Sequence, residues 1–183
     1  MIVDLTEWIL EMTDPGELVS GRDLPAGIEV RQAEVPSVEL SRFLYTAVGG
    51  DWYWTGRLGW TYAEWQAWVE RPEHETWIAY DRGTPAGYAA LVHHTGGNDD
   101  QVEIANFGLL APFIGRGIGA GLLMAAVQRA WALGPRRVWL STCSLDGPNA
   151  LPNYLARGFR IYAIEHGTKD VPERPVGPWP GAR

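Results

Sequence analysis

Residues 113–123 form a glycine-rich stretch that reads Phe113-Ile114-Gly115-Arg116-Gly117-Ile118-Gly119-Ala120-Gly121-Leu122-Leu123. The stretch joins an apolar segment predicted to be a strand, residues 102–110, to a segment with the apolar spacing of an amphipathic helix. Glycine permits backbone conformations that are closed to other residues and lets N–H groups approach a ligand. A helix that begins at the same point directs unpaired N–H groups and the positive end of its dipole there. The stretch therefore predicts a nucleotide-type ligand whose phosphates are held largely by backbone.

Two common phosphate-binding loops do not fit this stretch. A P-loop requires Lys and then Ser or Thr after its last glycine, whereas Ala120 and Gly121 follow Gly119. A dinucleotide-binding fingerprint differs by one position from the spacing of Gly115, Gly117 and Gly119. The acidic residue that such a fold places about 20 residues later, at the end of a second parallel strand, is also missing.

The stretch resembles motif A of the GNAT acetyltransferase superfamily, Gln/Arg-x-x-Gly-x-Gly/Ala, over residues 114–119. In that family the loop binds the pyrophosphate of acetyl-CoA. Ile114 stands where the motif has Gln or Arg, so one side-chain contact is missing while the backbone cradle of glycines is kept. The resemblance implies that residues 109–120 hold the cofactor, in particular Leu109, Leu110, Ala111, Ile114, Gly115, Arg116, Gly117, Ile118, Gly119 and Ala120.

A second match to the same family lies downstream. Residues 137–142 are predicted to form a strand, and the following segment is similar to motif B, Asn-x-x-Ala-x-x-x-Tyr-x-x-x-Gly-Phe. The matching positions are Ala150, Tyr154, Gly158 and Phe159. The expected Asn falls on Gly147, so Asn149 or Asn153 is predicted to make its cofactor contact. The order of strand, glycine loop, helix, strand and short helix also agrees with the family, and the resemblance covers residues 27–165.

Composition limits the partners that we expect. A chain of 183 residues with 46% apolar and 20% charged residues is typical of one soluble globular domain. The net charge of -7 argues against a nucleic-acid partner, and no apolar run is long enough for a membrane span. The acidic start lacks the basic segment of a signal peptide, and the single cysteine, Cys143, suits a reducing compartment. We therefore expect a cytoplasmic protein without nucleic-acid or membrane partners, and a homodimer stays open.

The apolar spacing along the chain predicts an alternation of helices and strands. Helices are predicted at residues 38–48, with Ser37 as cap, and from residue 61, where Thr61 and Glu64 form a capping box. Strands are predicted at residues 27–33, 76–81 and 86–93, with a hairpin loop at 96–100. Residues 1–26 are expected to be an extended or helical arm, and residues 170–183 an irregular, proline- and glycine-rich tail of the same single domain, 1–183. The resemblance implies a mixed, mostly antiparallel α/β sheet with splayed central strands, flanked by helices.

Two side chains are candidates for the proton transfers of acetyl transfer. Glu103 is a lone carboxylate in an apolar strand, an environment that suits a general base, and the GNAT resemblance places a base glutamate there. Alternation predicts that Glu103 shares a face with residues 105, 107 and 109; the alternative is a glutamate on a solvated face. Tyr154 is, by the motif B resemblance, the general acid for the CoA sulfur. Its alternative is a tyrosine that packs the short helix on the sheet.

The third requirement of acetyl transfer is a donor for the developing oxyanion. A backbone N–H near Leu109 and Leu110 is predicted to serve as this donor. The resemblance implies that the strand splays from its neighbour here and that its free edge binds the pantetheine arm. Residues 107–108 are the expected site of a bulge that starts the splay.

Tryptophans and histidines mark the expected acceptor side. Five of the ten tryptophans lie within residues 52–68, and Trp52, Trp54 and Arg57 fall in a connector that GNAT folds use as acceptor wall. Such a wall suits a flat or cationic amine, or the rings simply fill a gap in the core. His93 is a further acceptor-site candidate. It precedes His94, and because adjacent strand residues point in opposite directions, we expect no shared metal.

These observations favour an acetyl-CoA-dependent N-acetyltransferase that moves the acetyl group directly to an amine, with a small molecule as the expected acceptor. A protein or peptide amine is an alternative acceptor. A catalytically silent acyl-CoA-binding sensor is a second hypothesis, which the departures at Ile114 and Gly147 keep open. A third is an aromatic-binding protein that does not use CoA, in which the glycine stretch serves packing alone.

Overall fold

The computed structural model describes residues 1–21, 23–96 and 100–178. The helices in these ranges are α1 (Val38–Gly49), α2 (Tyr62–Val69), α3 (Ile118–Ala132) and α4 (Ala150–Ala156), with short 3-10 turns at Pro15–Glu17 and Ala111–Phe113. The strands are β1 (Ile2–Met12), β2 (Ile28–Gln32), β3 (His74–Asp81), β4 (Thr84–His94), β5 (Gln101–Leu109), β6 (Arg137–Cys143) and β7 (Arg160–Asp170). Of the helices described, none combines the length and the apolar character that crossing a membrane requires.

These strands form one sheet in the order β2-β3-β4-β5-β6-β1-β7. Strands β5 and β6 run parallel, and the other neighbouring strands run antiparallel. The pairing of β5 with β6 extends from Gln101 and Arg137 to Glu103 and Trp139 and ends there. Beyond Glu103 the two strands separate. The predicted fold class, a mixed and mostly antiparallel sheet with splayed central strands between helices, is confirmed.

Local capping rules account for where the first two helices begin. The Ser37 hydroxyl oxygen accepts the Leu40 N–H at 3.1 Å at the start of α1. At the start of α2, Thr61 Oγ1 accepts the Glu64 N–H at 3.3 Å, and Glu64 Oε2 accepts the Thr61 N–H at 2.6 Å. The strands predicted at residues 27–33, 76–81 and 86–93 correspond to β2, β3 and β4. Residues 97–99 of the predicted hairpin loop lie outside the described residues.

The prediction of an N-terminal arm is wrong for residues 2–12. These residues form β1, which pairs antiparallel with β6 on one side and with β7 on the other. Leu10 and Met12 are fully buried, because the apolar end of β1 completes the core under α3. Beyond β7, residues 171–178 have no regular structure, and residues 179–183 of the predicted tail lie outside the described residues.

Different helices cover the two faces of the sheet. On the first face, Leu123 and Val127 of α3 pack with Leu91 and Val102 of the sheet, and we call it the α3 face. On the second face, α1 packs against β3 and β4 through a cluster that contains Leu44, Val48, Ile78, Tyr88 and Ala90, and we call it the α1 face. Any cleft between β5 and β6 therefore has one mouth beside α3 and another beside α1.

A β-bulge in β5 changes which of its side chains share a face. Residues 90 and 91 of β4 pair with residues 106 and 104 of β5, so Ala105 is the extra residue. Ile104 and Phe107 consequently both belong to the α3 face, whereas Glu103 and Asn106 belong to the α1 face. The predicted face shared by residues 103, 105, 107 and 109, and the predicted bulge at 107–108, are therefore wrong. An inserted residue reverses the alternation of side chains between the two faces of a strand.

Candidate active site

A cleft of about 850 Å³ opens where β5 and β6 separate. On the α3 face it is lined by the glycine stretch and by α4, and on the α1 face by the connector between α1 and α2. Residues 141–143 of β6 and Glu7 of β1 complete the wall. The cleft therefore connects the two faces of the sheet and can bring together ligands that enter from opposite sides.

The glycine stretch lines the α3 side of this cleft. Gly115 and Gly117 have φ values of +82° and +79°, in the left-handed region that favours glycine. Gly117 is the residue before α3, and no side chain caps the helix there. Gly117, Gly119 and Ala120 line the cleft. The first N–H groups of the 15-residue helix α3 thus face the cleft without a side-chain acceptor, an arrangement that binds anions.

The edge of β5 offers backbone groups to the same cleft. The Leu110 N–H donates to the Ala86 carbonyl oxygen at 2.9 Å, which places Leu110 among the residues bonded to β4. Hydrogen-bonding direction alternates along an antiparallel strand, so Phe107 and Leu109 turn their N–H and C=O groups toward the gap that β6 has left. Phe107 and Leu109 line the cleft. The predicted oxyanion donor is therefore restricted to Leu109, because the N–H of Leu110 is already used.

The remaining predicted cofactor residues differ in position. Ile114, Asn149 and Asn153 line the cleft, as predicted for cofactor contacts. Leu110 and Ala111 do not line it, and cofactor contacts by these two residues remain predictions.

Two predicted side chains of the glycine stretch point elsewhere. Arg116 donates to Asp81 Oδ2 of β3 at 2.6 Å, and its guanidinium lies 5.1 Å from the ring centre of Phe113. Ile118 is fully buried in a core cluster. The side chains of Arg116 and Ile118 therefore do not face the cleft. Arg116 anchors the loop to β3, and Ile118 anchors α3 to the sheet.

Tyr154 of α4 lines the cleft from the α3 side. Its ring meets Phe107 and Phe159 edge-on, at centroid distances of 5.9 and 6.3 Å, and its exposed fraction is 5%. Burial, followed by the negative charge of Asp146, raises the pKa of Tyr154 well above its ordinary value of 10. The hydroxyl therefore stays protonated and able to donate a hydrogen bond at any physiological pH.

Asp146, in the turn after β6, organises the centre of the cleft. Its Oδ1 accepts the Trp54 indole N–H at 3.2 Å, and its Oδ2 accepts the Thr142 hydroxyl at 2.7 Å and the Cys143 N–H at 3.0 Å. This residue was not singled out from the sequence. The available signal was an Asp in the turn that follows a strand, where its carboxylate commonly bonds nearby backbone N–H groups.

Comparison with known proteins identifies the family. A model described as the acetyltransferase (GNAT) family matches residues 42–159, which is more than half of the chain. The chain belongs to the GNAT family. Strands β1, β2 and β7 lie outside the matched segment. No curated protein sequence matches the chain.

Solved structures of GNAT proteins share the fold at low sequence identity. A GCN5-related N-acetyltransferase from Kribbella flavida is 22% identical with a TM-score of 0.64, and the match covers 93% of this chain and 60% of that chain. One from Sphaerobacter thermophilus is 22% identical with a TM-score of 0.64, covering 92% of this chain and 52% of that chain. The aminoglycoside acetyltransferase meta-AAC0020, from an uncultured soil metagenomic sample, is 12% identical with a TM-score of 0.59, covering 73% and 88%. This GNAT chain thus spans little more than half of the first two proteins.

Two tryptophans that were predicted to contact the acceptor lie on the α1 side of the GNAT cleft. Trp52 and Trp54 both line the cleft, and Trp54 is fixed by its bond to Asp146. A Cβ added to Gly147 would lie 3.3 Å from the Trp52 ring, so that the ring would have to shift slightly to admit it. Trp52 therefore fills the space that a larger residue at position 147 would need.

Arg57 also lines the cleft, but its guanidinium group already has partners within this chain. Its Nη1 donates to Asn106 Oδ1 at 2.7 Å, and its guanidinium lies 3.7 Å from the ring centre of Trp68. The rings of Trp60 and Tyr45 lie 5.1 and 5.6 Å away. Burial lowers the pKa of Arg57 from its ordinary value. Trp52 and Trp54, the predicted aromatic wall, line the cleft together with Trp60, whereas the Trp68 ring stacks on the Arg57 guanidinium.

Glu103 and His93 occupy different positions from those predicted. The Glu103 side chain is 27% exposed on the α1 face, does not line the cleft and lies 3.0 Å from His94 Nε2 through its Oε2. His93 pairs with Val102, on the opposite face, and its Nε2 lies 2.7 Å from Asp100 Oδ1. His93 does not line the cleft, and its contact with the acceptor remains a prediction.

The described residues offer the cleft no metal site. No group of three or more His, Cys, Asp or Glu side chains within residues 1–21, 23–96 and 100–178 is arranged to hold a metal ion. Cys143 lines the cleft as a free thiol, and burial, followed by the Asp146 charge, raises its pKa. A raised pKa keeps the thiol protonated and makes it a poor nucleophile.

Proposed function

We propose that this GNAT protein transfers the acetyl group of acetyl-CoA directly to an amine of a small molecule. The observation that carries the proposal is the uncapped start of α3, which faces the same cleft as the free edge of β5. An anion cradle and a strand edge suit the two chemically different parts of acetyl-CoA, its pyrophosphate and its amide-containing pantetheine arm. The cofactor fits the residues present.

The residues that would hold acetyl-CoA lie on the α3 side. The N–H groups of Gly117, Gly119 and Ala120 would bind the pyrophosphate, and Asn149 or Asn153 would add a side-chain bond. The free edge of β5 would pair with pantetheine, and the Leu109 N–H would stabilise the oxyanion. Bound acetyl-CoA supplies an activated acetyl thioester at the centre of the cleft.

Tyr154 would donate a hydrogen bond to the departing sulfur. Its pKa is raised above 10, whereas an ordinary thiol has a pKa near 8.5, so complete proton transfer from Tyr154 to a thiolate would be unfavourable. Tyr154 therefore acts by stabilising the developing negative charge, a narrower role than that of a net proton source. A protonated acceptor loses two protons overall: one ends on the CoA sulfur and the other in solvent.

Glu103 is the base in this proposal, acting through water. It lies on the α1 face at the last position where β5 and β6 pair, next to the point where the cleft opens. Arg57, which lines the cleft, is close enough to Glu103 for an attractive electrostatic interaction. In the proposed reaction a water molecule would carry the proton to this carboxylate from an amine that enters on the α1 side. We place the reaction in the cytoplasm, because a chain with one cysteine and no internal disulfide suits a reducing compartment.

The test of this function combines turnover with binding. Thiol release from acetyl-CoA is measured with a panel of primary amines for the wild type, Tyr154→Phe and the matched control Tyr62→Phe, whose tyrosine is exposed on α2. Tyr154→Phe should lower kcat about a hundredfold and leave acetyl-CoA binding unchanged, since only a donor to the sulfur is lost. Equal kcat in Tyr154→Phe and the wild type would contradict the assigned role. Acetyl-CoA binding without thiol release for any amine would favour the silent sensor.

A further inference from the structure

Most charged side chains that line the cleft are already bound within the chain. Asp146 accepts three hydrogen bonds, and the Arg57 guanidinium donates to Asn106 and stacks on Trp68. Lys169 of β7 donates to the Tyr53 carbonyl oxygen at 3.1 Å. These three charged side chains therefore link neighbouring segments of the cleft wall.

Glu7 of β1 is different from the other charged lining residues. Its side chain is half-buried and lines the cleft. Within the part of the chain that the structure describes, no hydrogen bond or ion pair involves the Glu7 carboxylate. A carboxylate that is partly removed from water without a partner is unfavourable, and a cation placed beside it relieves that cost.

The position of Glu7 places it beside the centre of the cleft. Glu7 pairs with Cys143 of β6, and the side chains of directly opposed strand residues lie about 5 Å apart at Cβ. The Cys143 N–H is bonded to Asp146, whose charge in turn raises the pKa of Tyr154. Lys169, a lining cation on β7, donates to the Tyr53 carbonyl oxygen, and no ion pair joins it to Glu7 among the described residues. We therefore expect the ligand to supply the positive charge that pairs with the Glu7 carboxylate.

We propose that Glu7 binds the protonated amino group of the acceptor, so that this enzyme selects cationic amines. The apolar or aromatic body of such an amine would lie against Trp52 and Trp54, which line the same cleft. This proposal rests on the proposed acetyl transfer and adds the class of its substrate. Strand β1 lies outside residues 42–159, so Glu7 belongs to a part of the chain that the family model does not cover.

The test compares amines with carboxylates of the same body. Tryptamine is paired with indole-3-propionate, phenethylamine with 3-phenylpropionate, and hexylamine with hexanoate. Calorimetry measures their binding to the CoA-loaded wild type, to Glu7→Gln and to Asp4→Asn, a matched control on the same strand whose carboxylate is exposed and outside the cleft. At least one amine should bind the wild type more tightly than its carboxylate partner. Glu7→Gln should weaken amine binding about tenfold or more, because a charge-assisted bond is lost. Asp4→Asn should change neither the affinity for the amines nor the affinity for the carboxylates.

The outcomes separate this proposal from the proposed function. Unchanged amine affinity in Glu7→Gln would overturn the role of Glu7 while leaving acetyl transfer intact. Acetyl-CoA binding without binding of any of the three amines would overturn the substrate class. Failure of the wild type to bind acetyl-CoA would instead overturn the proposed function itself. In turnover with a bound amine, Glu7→Gln should raise KM and Tyr154→Phe should lower kcat, and the reverse pattern would contradict both roles.

Discussion

Acid should destabilise this protein through one half-buried histidine, His74, at the start of β3. Its ring meets Trp68 edge-on at 5.3 Å, and its Nε2 is buried without a hydrogen-bond partner among the described residues. Burial, and then the positive charges of Arg71 and Arg57, lower the pKa of His74 from 6.5 to about 4. The unfolded chain therefore binds a proton at a higher pH than the folded protein does.

The sign and size of the effect follow from this difference. Since the pKa is lower in the folded state, the contribution of His74 is complete above pH 6.5 and is lost as the pH falls toward 4. Between pH 7.5 and pH 5 the loss amounts to about 2 kcal/mol of unfolding free energy. His74→Phe keeps a ring against Trp68 and removes the titration, and the adjoining cavity of about 180 Å³ gives the larger ring room.

The assay is urea unfolding, followed by tryptophan fluorescence, at several pH values from 7.5 to 5. The wild type should lose about 2 kcal/mol more than His74→Phe over this range. His166→Gln is the matched control, because His166 is exposed on β7 and bonded only to the Thr6 hydroxyl among the described side chains. Parallel pH dependence of wild type and His74→Phe would refute the reasoning.

Three further substitutions test the packing of the cleft and the core by urea unfolding. Arg57→Lys should cost about 1–2 kcal/mol, because lysine cannot stack its planar group on Trp68; an unchanged midpoint would argue against that contact. Leu123→Ala should cost about 3 kcal/mol, since Leu123 is fully buried, and a loss below about 1 kcal/mol would mean that the core closes over the cavity. Asp146→Asn should cost about 1–3 kcal/mol by leaving a buried donor without an acceptor. It should also lower the pKa of Cys143 and speed alkylation of that thiol at pH 8, and an unchanged alkylation rate would contradict the charge effect.

Much of the fold could be predicted because its signals are local. The glycines at 115–119, the caps at Ser37 and Thr61 and the apolar spacing of α3 each depend on residues close together in the chain. The position of β1 could not be predicted in this way. Its partners, β6 and β7, lie more than a hundred residues away, and no local pattern specifies which distant strands pair.

The site was harder to predict than the fold, because its contacts join residues that lie far apart in the sequence. Tyr154 could be placed in the cleft from its motif. Glu103 and Phe107 were predicted to share a face of β5. They lie on opposite faces, because the bulged residue Ala105 reverses the alternation of the side chains beyond it. Asp146 was missed because one of its donors, Trp54, is 92 residues away in the sequence.

The central claim is that the cleft between β5 and β6 binds acetyl-CoA through the start of α3. The most direct measurement is thermal unfolding of the wild type and of Gly117→Glu with saturating acetyl-CoA, with ATP and NAD as controls. A hundredfold excess over Kd adds about 2.7 kcal/mol and should raise the Tm of the wild type by roughly 5–10 °C. Gly117→Glu should show no shift, because its carboxylate would repel the pyrophosphate. A wild-type Tm that acetyl-CoA does not change, or that ATP and NAD raise equally, would contradict the claim.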